Sequence, residues 1–243
     1  MISKIVFKKI KFININYKNF NRYVVKKGLF VFPSGPALAN INVFNQYYTS
    51  IQKADFVFFD SGFFVLLLRI FKNINVYKFS GYKFLNLFFN YLKKNKKKKI
   101  FCVDPNLTFS KSNRKYIKKL GIKKIYNYIA PNYDVDTLSD KKLLKLIIKF
   151  NPDYIIINIG GGTQEVLGSY IKKKLRIKKT IFCTGAAISF FTKDQAPISD
   201  LIDKYYLGWL LRLLFNPTIF LRRYIVGLKL IPMVIFNKIR VIN

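Results

Sequence analysis

The stretch YIIINIGGGTQE, from Tyr154 to Glu165, decides the fold class. Its first six residues carry no charge and are mostly β-branched, which predicts a strand. Three consecutive glycines end it, and a helical segment follows. A strand that is apolar along its length, rather than alternating, suits a parallel sheet covered on both faces.

Working outward, the same unit recurs. Apolar runs at Leu29–Phe32, Asp55–Phe59, Asn75–Phe79, Ile100–Val103, Ile125–Ile129 and Thr180–Cys183 each run into a polar turn. The turns are Pro33-Ser34-Gly35-Pro36, Asp60-Ser61-Gly62, Ser80-Gly81, Asp104-Pro105-Asn106, Ala130-Pro131-Asn132 and Thr184-Gly185. Between them lie helical patterns: Leu85, Phe88, Phe89 and Leu92 fall on one face, as do Leu143, Leu144, Ile147 and Ile148 after Ser139 as N-cap. Strand–helix alternation predicts an α/β, Rossmann-like, mostly parallel sheet with helices on both faces. After Pro197 the pattern changes. Ile198 to Tyr224 reads as helical with a break at Asn216-Pro217, and a short apolar tail follows at Ile231 to Ile235. We therefore expect a Rossmann-like domain over 1–197 and a basic helical appendage over 198–243.

Composition narrows the chemistry. The 243 residues carry 44 Lys and Arg against 11 Asp and Glu, a formal net charge of +33, with 51% hydrophobic and 17% aromatic residues. So apolar a chain is not disordered. It has no histidine, which removes histidine bases, triads and histidine metal ligands together. Cys102 and Cys183 are too few for a zinc site or a disulfide framework and fit a reduced, cytosolic compartment. The positive excess calls for anionic partners, namely nucleic acid, anionic lipid or phosphorylated small molecules. Lysine runs such as Lys93 to Lys99 read as solvated faces in a Lys- and Asn-rich composition, and no nucleic-acid-binding motif accompanies them, so nucleic acid is not expected. The longest apolar stretch, Phe56 to Leu68, is interrupted by Asp60 and is too short to span a bilayer, so membrane contact would be peripheral. Met1 to Lys11 alternates Lys with Ile and Phe and lacks the continuous apolar core of a signal peptide.

In open parallel sheets, ligands bind beyond the carboxyl ends of the strands. Gly160, Gly161 and Gly162, followed by Gln164 and Glu165, form a turn that can cradle a phosphate at a helix N-terminus, or serve only as a tight connection. It is neither a P-loop nor a good GxGxxG match. Asp60 ends an apolar run, and partial burial would suit it to accept a proton from a substrate hydroxyl; a helix N-cap is the plainer reading. Asp134-Val135-Asp136 has metal-sugar-nucleotide spacing but also reads as a helix start. Asp104 and Asn106 sit at another strand end in a common turn sequence.

Taken in order, these motifs resemble the bacterial WecG/TagA/CpsF glycosyltransferases from about Leu29 to Tyr224. The resemblance rests on Asp60-Ser61-Gly62, Ser80-Gly81, Gly160 to Glu165, Gly185-Ala186-Ala187 with Gln195-Ala196-Pro197, Leu207 to Leu213 around Trp209, and Pro217 with Arg222-Arg223-Tyr224. The chain departs from the family pattern at Pro33-Ser34-Gly35, Ser189, Gly208 and Thr218. The resemblance implies an inverting transferase that moves an N-acetylhexosamine-type sugar from a UDP donor to a polyprenyl-diphosphate-linked sugar. It implies no cofactor and no metal, a cytoplasmic location peripheral to the inner face of the plasma membrane, and a membrane-contacting C-terminal appendage. It leaves room for a homo-oligomer. In that reading Asp60 is the base. Gly160, Gly161 and Gly162 hold the departing UDP, and Gln164 and Glu165 contact nucleoside or sugar. Ser80 and Gly81 line the site, and Arg212, Arg222 and Arg223 neutralise diphosphate. Two other classes stay open: another Rossmann-like nucleotide enzyme, and a non-catalytic basic protein.

Overall fold

The computed structural model describes residues 3–175, 178–194, 213, 214 and 217–242. Among the described residues nine strands form one sheet: β1 (Ser3–Phe7), β2 (Ile10–Asn14), β3 (Gly28–Val31), β4 (Phe56–Phe58), β5 (Ile100–Asp104), β6 (Ile125–Ile129), β7 (Tyr154–Ile157), β8 (Thr180–Cys183) and β9 (Arg240–Ile242). Their spatial order is β6-β5-β7-β8-β3-β4-β2-β1-β9. From β6 across to β2 every pairing is parallel, and β1 is antiparallel to both β2 and β9.

The apolar runs explain the middle of the sheet. β3, β5, β7 and β8 are buried along their whole length. Their residues alternate between two cores. Leu29, Val31, Val103, Ile157 and Cys183 face one; Phe30, Cys102, Ile156 and Phe182 face the other. Helices α2 (Gly35–Ala39), α3 (Asn45–Gln52), α4 (Gly62–Lys72), α7 (Lys141–Phe150) and α8 (Thr163–Lys174) cover the first face. The short α1 (Asn21–Val24), with α5 (Gly81–Lys94), α6 (Leu107–Lys119) and α9 (Ser189–Thr192), covers the second. The sheet is doubly wound, as its sequence pattern requires. Phenylalanine fills the second face: Phe182 meets Phe30, Phe84 and Phe88 with ring centroids 4.8–5.1 Å apart. Such pairs add about 0.5–1.5 kcal/mol each beyond burial.

Four local readings are sharpened or corrected. The alternation seen over Met1 to Lys11 belongs to β1 and the start of β2. The two-residue connection is Lys8-Lys9, with both residues at positive φ (45° and 60°). This is hairpin-turn geometry normally given to Asn-Gly, and lysine pays roughly 1–2 kcal/mol per residue to adopt it. The turn is tied down by Tyr48, whose hydroxyl donates to Lys8 O at 2.9 Å. Second, Asn75–Phe79 is not a strand. It carries the chain from α4 on one face to α5 on the other, held by Asn14 Oδ1 accepting from Tyr77 N and by Phe79 N donating to Phe59 O. Third, Asp140 rather than Ser139 caps α7, its Oδ1 accepting from Leu143 N at 2.8 Å. Fourth, the apolar tail at Ile231 to Ile235 lies within a helix, and a further strand follows it. Of the residues expected to form the appendage, 217–242 build α10 (Pro217–Gly227), α11 (Leu230–Phe236) and β9. α10 packs on α2, and α11 packs on α2 and α4.

Candidate active site

Two adjacent strands whose following helices lie on opposite faces leave a crevice at their carboxyl ends. Of the crevices this makes along the sheet, two bear on the expected site: one between β3 and β8, the other between β5 and β7. Asp60 stands beside the first. β4 ends at Phe58, and Asp60 N then donates back to Phe58 O at 3.1 Å, a three-residue turn that swings the half-buried carboxylate out of line with the strand. Asp60 Oδ1 accepts from Gly81 N at 2.8 Å. The first turn of α5 therefore points a backbone donor, and the positive end of its dipole, at this carboxylate. The crossover 75–79 makes this meeting possible, because its pairing with Phe59 delivers Ser80-Gly81 next to Asp60. The cap reading of Asp60 falls to its neighbour: Ser61 Oγ accepts from Phe64 N at 3.2 Å and caps α4. Ser80 caps α5 in the same way, accepting from Lys83 N at 3.1 Å. A Cβ at Gly81 would lie 3.5 Å from Thr184 O and 3.7 Å from Phe32 Cβ, so the start of α5 sits between the ends of β3 and β8.

The glycine turn after β7 has open space above it. A Cβ at Gly160, Gly161 or Gly162 would meet nothing within 4 Å, so packing does not demand glycine there, and only Gly162 has a positive φ (96°). That space suits a ligand. One of the expected donors is already engaged, however: Gly162 N donates to Glu165 Oε2 at 2.7 Å. Gln164 and Glu165 are both buried and brace loops. Gln164 Nε2 donates to Glu165 Oε1 at 2.9 Å, and Gln164 Oε1 accepts from Gly185 N at 2.6 Å. This relay ties the loop after β7 to the loop after β8. Gly185 has φ +57° and a Cβ there would lie 3.3 Å from Gln164 Nε2, so glycine is required.

Burial pushes the Glu165 carboxyl up to about 7, with the Asp60 charge adding to the rise and hydrogen bonds from Gly162 N and Gln164 opposing it. A carboxyl raised from about 4.5 keeps its full contribution to stability below that pH and loses it as pH climbs through 7. The loss is about 3 kcal/mol. Melting temperature of the native protein is expected to decline between pH 5 and 7 relative to Glu165→Gln; parallel curves for the two proteins would refute the raised value.

Two features were not legible in advance. Tyr47, on α3, is buried, and its hydroxyl has no hydrogen-bond partner among the described residues. Burial raises its pKa strongly, with Glu165 and Asp60 adding to the rise, so it belongs to the same neighbourhood. A tyrosine among apolar helix positions gives no sequence signal of this. The other feature is the floor of the second crevice. Asp104, fully buried at the end of β5, accepts from Asn113 Nδ2 and Asn158 Nδ2 on Oδ1 and from Asn127 Nδ2 on Oδ2, at 2.7–2.8 Å. It binds three elements together rather than facing a ligand. Asn106 caps α6, accepting from Phe109 N. Asp134 is spent locally on Asp136 N and Thr137 in an exposed turn ahead of α7.

Arg222 and Arg223 are exposed on α10, while Arg212, Gln195-Ala196-Pro197 and Trp209 lie outside the described residues. Cys102 and Cys183 are free thiols buried in β5 and β8. The Lys93–Lys98 groove, with Lys98 3.4 Å from Asp153, lies at the amino end of β5, opposite Asp60. Such exposed pairs add little stability. Among the described residues no three His, Cys, Asp or Glu side chains are grouped to hold a metal ion, and no helix is long and apolar enough to cross a membrane.

A comparison with curated proteins gives no match. The sequence model of the glycosyl transferase WecG/TagA/CpsF family matches residues 6–242, from within β1 to the end of β9. With the match covering nearly the whole chain and the α/β sheet in place, this protein belongs to the WecG/TagA/CpsF family of glycosyltransferases.

Proposed function

We propose that this glycosyltransferase inverts configuration at the anomeric carbon, moving an N-acetylhexosamine-type sugar from a UDP-sugar to a polyprenyl-diphosphate-linked sugar. The observation that carries the reading is Asp60: a half-buried carboxylate at the mouth of the β3/β8 crevice, fixed by Gly81 N and leading directly into α4. In a single in-line displacement Asp60 takes the proton of the attacking acceptor hydroxyl. The open space over Gly160 and Gly161 receives the donor diphosphate at the start of α8, where the helix dipole favours the charge that grows on the leaving UDP. Gln164 and Glu165 hold that loop in register with Gly185 and act as positioning residues. Arg222 and Arg223, with Arg212, neutralise diphosphate on donor or acceptor. We place the basic segment from residue 198 onward against the inner face of the membrane, where a polyprenyl-linked acceptor resides.

The test uses the full chain with UDP, a panel of UDP-sugars and NAD. A true ligand present at about 100 times its Kd stabilises the fold by about 2.7 kcal/mol. UDP and one UDP-sugar are expected to raise the melting temperature, and that UDP-sugar should be turned over with a polyprenyl-diphosphate-sugar acceptor. Stabilisation by NAD with none by UDP would replace the proposal with a different nucleotide enzyme.

A further inference from the structure

The acids are distributed unevenly along the chain. Residues 1–103 contain only Asp55 and Asp60, and none occurs after Asp203. The other nine fall between 104 and 203, in the stretch from β5 to β8 and the residues that follow it in sequence. Because β9 pairs with β1, the two acid-poor segments fold together as one end of the sheet. On the first face of that end lie α4, α10 and α11, three neighbouring helices without a single carboxylate. Lys72, at the end of α4, donates from Nζ to Ile235 O of α11 at 2.9 Å, which fixes the two helices side by side.

These helices do not bury all their apolar side chains. Phe64, Val65, Leu67 and Leu68 of α4 enter the core, whereas Ile70 is 68% exposed and Leu66 and Phe71 are also exposed. Phe236 at the end of α11 is 82% exposed, and Ile225 of α10 is 59% exposed. Basic side chains stand among them: Arg69 on α4, Arg222 on α10 and Lys229 between α10 and α11. A surface with exposed large apolar side chains, basic neighbours and no acid on its three helices is built for an anionic interface with an apolar interior.

We propose that this flank seats on an anionic bilayer, with α4 of the core domain, and not the C-terminal segment alone, supplying apolar side chains that enter the headgroup–acyl boundary. The proposal rests on the membrane-linked acceptor of the preceding section and extends it by naming the surface. α4 begins two residues after Asp60, and Ile70 and Phe71 stand in its last turn, so one helix connects the base to the proposed membrane contact. A second copy of the chain is the poorer occupant. A two-fold interface would set this basic face against itself. Nucleic acid would satisfy the charge but leave Ile70 and Phe236 in water.

Co-sedimentation of the full chain with phosphatidylcholine vesicles, with and without about 30 mol% phosphatidylglycerol, tests this. The protein is expected to bind the anionic vesicles and not the neutral ones. The double variant Ile70→Asp/Phe71→Asp should bind about tenfold more weakly, with a melting temperature close to that of the parent because both side chains are exposed. A second variant, Ile70→Leu, should bind as the parent does. Undiminished binding by the double variant would overturn the role of α4. So would a parent dimer that the double variant turns into a monomer without loss of vesicle binding. Transfer to a short-chain, water-soluble acceptor separates this inference from the one it rests on. Transfer retained while vesicle binding is absent sinks the inference alone; vesicle binding as expected with no transfer sinks the enzymatic reading alone.

Discussion

Asp60→Asn is expected to lower kcat by roughly 10²–10⁴-fold, with little change in the KM for the UDP-sugar. Asparagine is nearly isosteric and keeps an oxygen that can accept from Gly81 N, so the 2.8 Å contact that fixes the side chain can persist. What disappears is the capacity to take a proton. A melting temperature close to that of the parent would show that the lost activity is chemical and not structural. Steady-state kinetics with a UDP-sugar and a lipid-linked acceptor make the comparison. Near-normal turnover by Asp60→Asn would remove Asp60 from the role of base, and a loss confined to KM would make it a binding group. Asp60→Ala differs, because it also deprives Gly81 N of its acceptor at the head of α5. Its extra cost over Asp60→Asn measures that contact.

The largest effect on stability is expected at Asp104. Its carboxylate is fully buried and accepts three amide hydrogens, from Asn113, Asn127 and Asn158. Those residues stand on α6, on β6 and just after β7. Asp104→Ala leaves three amide donors facing a cavity. Breaking a buried charged network in this way costs about 3–5 kcal/mol. In a domain of this size each kcal/mol is worth about 2–4 °C, so the melting temperature should fall by about 10 °C. Asp104→Asn, which retains one acceptor oxygen, should fall less. A change of about 2 °C or less for Asp104→Ala would show that water enters and satisfies the amides. UDP-sugar binding adds a second reading of the same variant: the cluster floors the β5/β7 crevice, so affinity should weaken along with stability.

The parallel part of the sheet was legible because burial on both faces imposes a continuous apolar run, and Ile155–Ile156–Ile157 or Leu29 to Phe32 cannot be mistaken for solvent-facing chain. The same signal misled at Asn75–Phe79, where Val76 and Phe79 are apolar only because a crossover must lie against the core on its way between faces. The hairpin was hidden for the opposite reason. Its strands alternate, but the turn is Lys8-Lys9, which carries none of the glycine or asparagine chemistry that marks such turns; Tyr48, distant in sequence, holds it. At the site, Asp60 and the glycines were readable from their position at strand ends. The inward direction of Gln164 and Glu165 was not, because a polar pair at a helix start reads as surface until its partners, Gly162 and Gly185, are known in space. Asp104 was readable as a strand-end acid, but its three amide partners come from separate elements and share no motif.

The pairing of β1 with β9 sets Val6 against Arg240, residues from opposite ends of the chain. A contact spanning so much intervening sequence gains nothing until the parallel sheet has formed and brought both ends to the same edge. It should therefore be the last ladder to zip during folding and among the first to open under native conditions, ahead of the strands at the centre of the sheet. Amide hydrogens of β9 would then exchange faster than those of β3 or β8. Release of β9 would free that strand alone, because Leu230 and Val234 keep α11 buried in the core against α2 and α4.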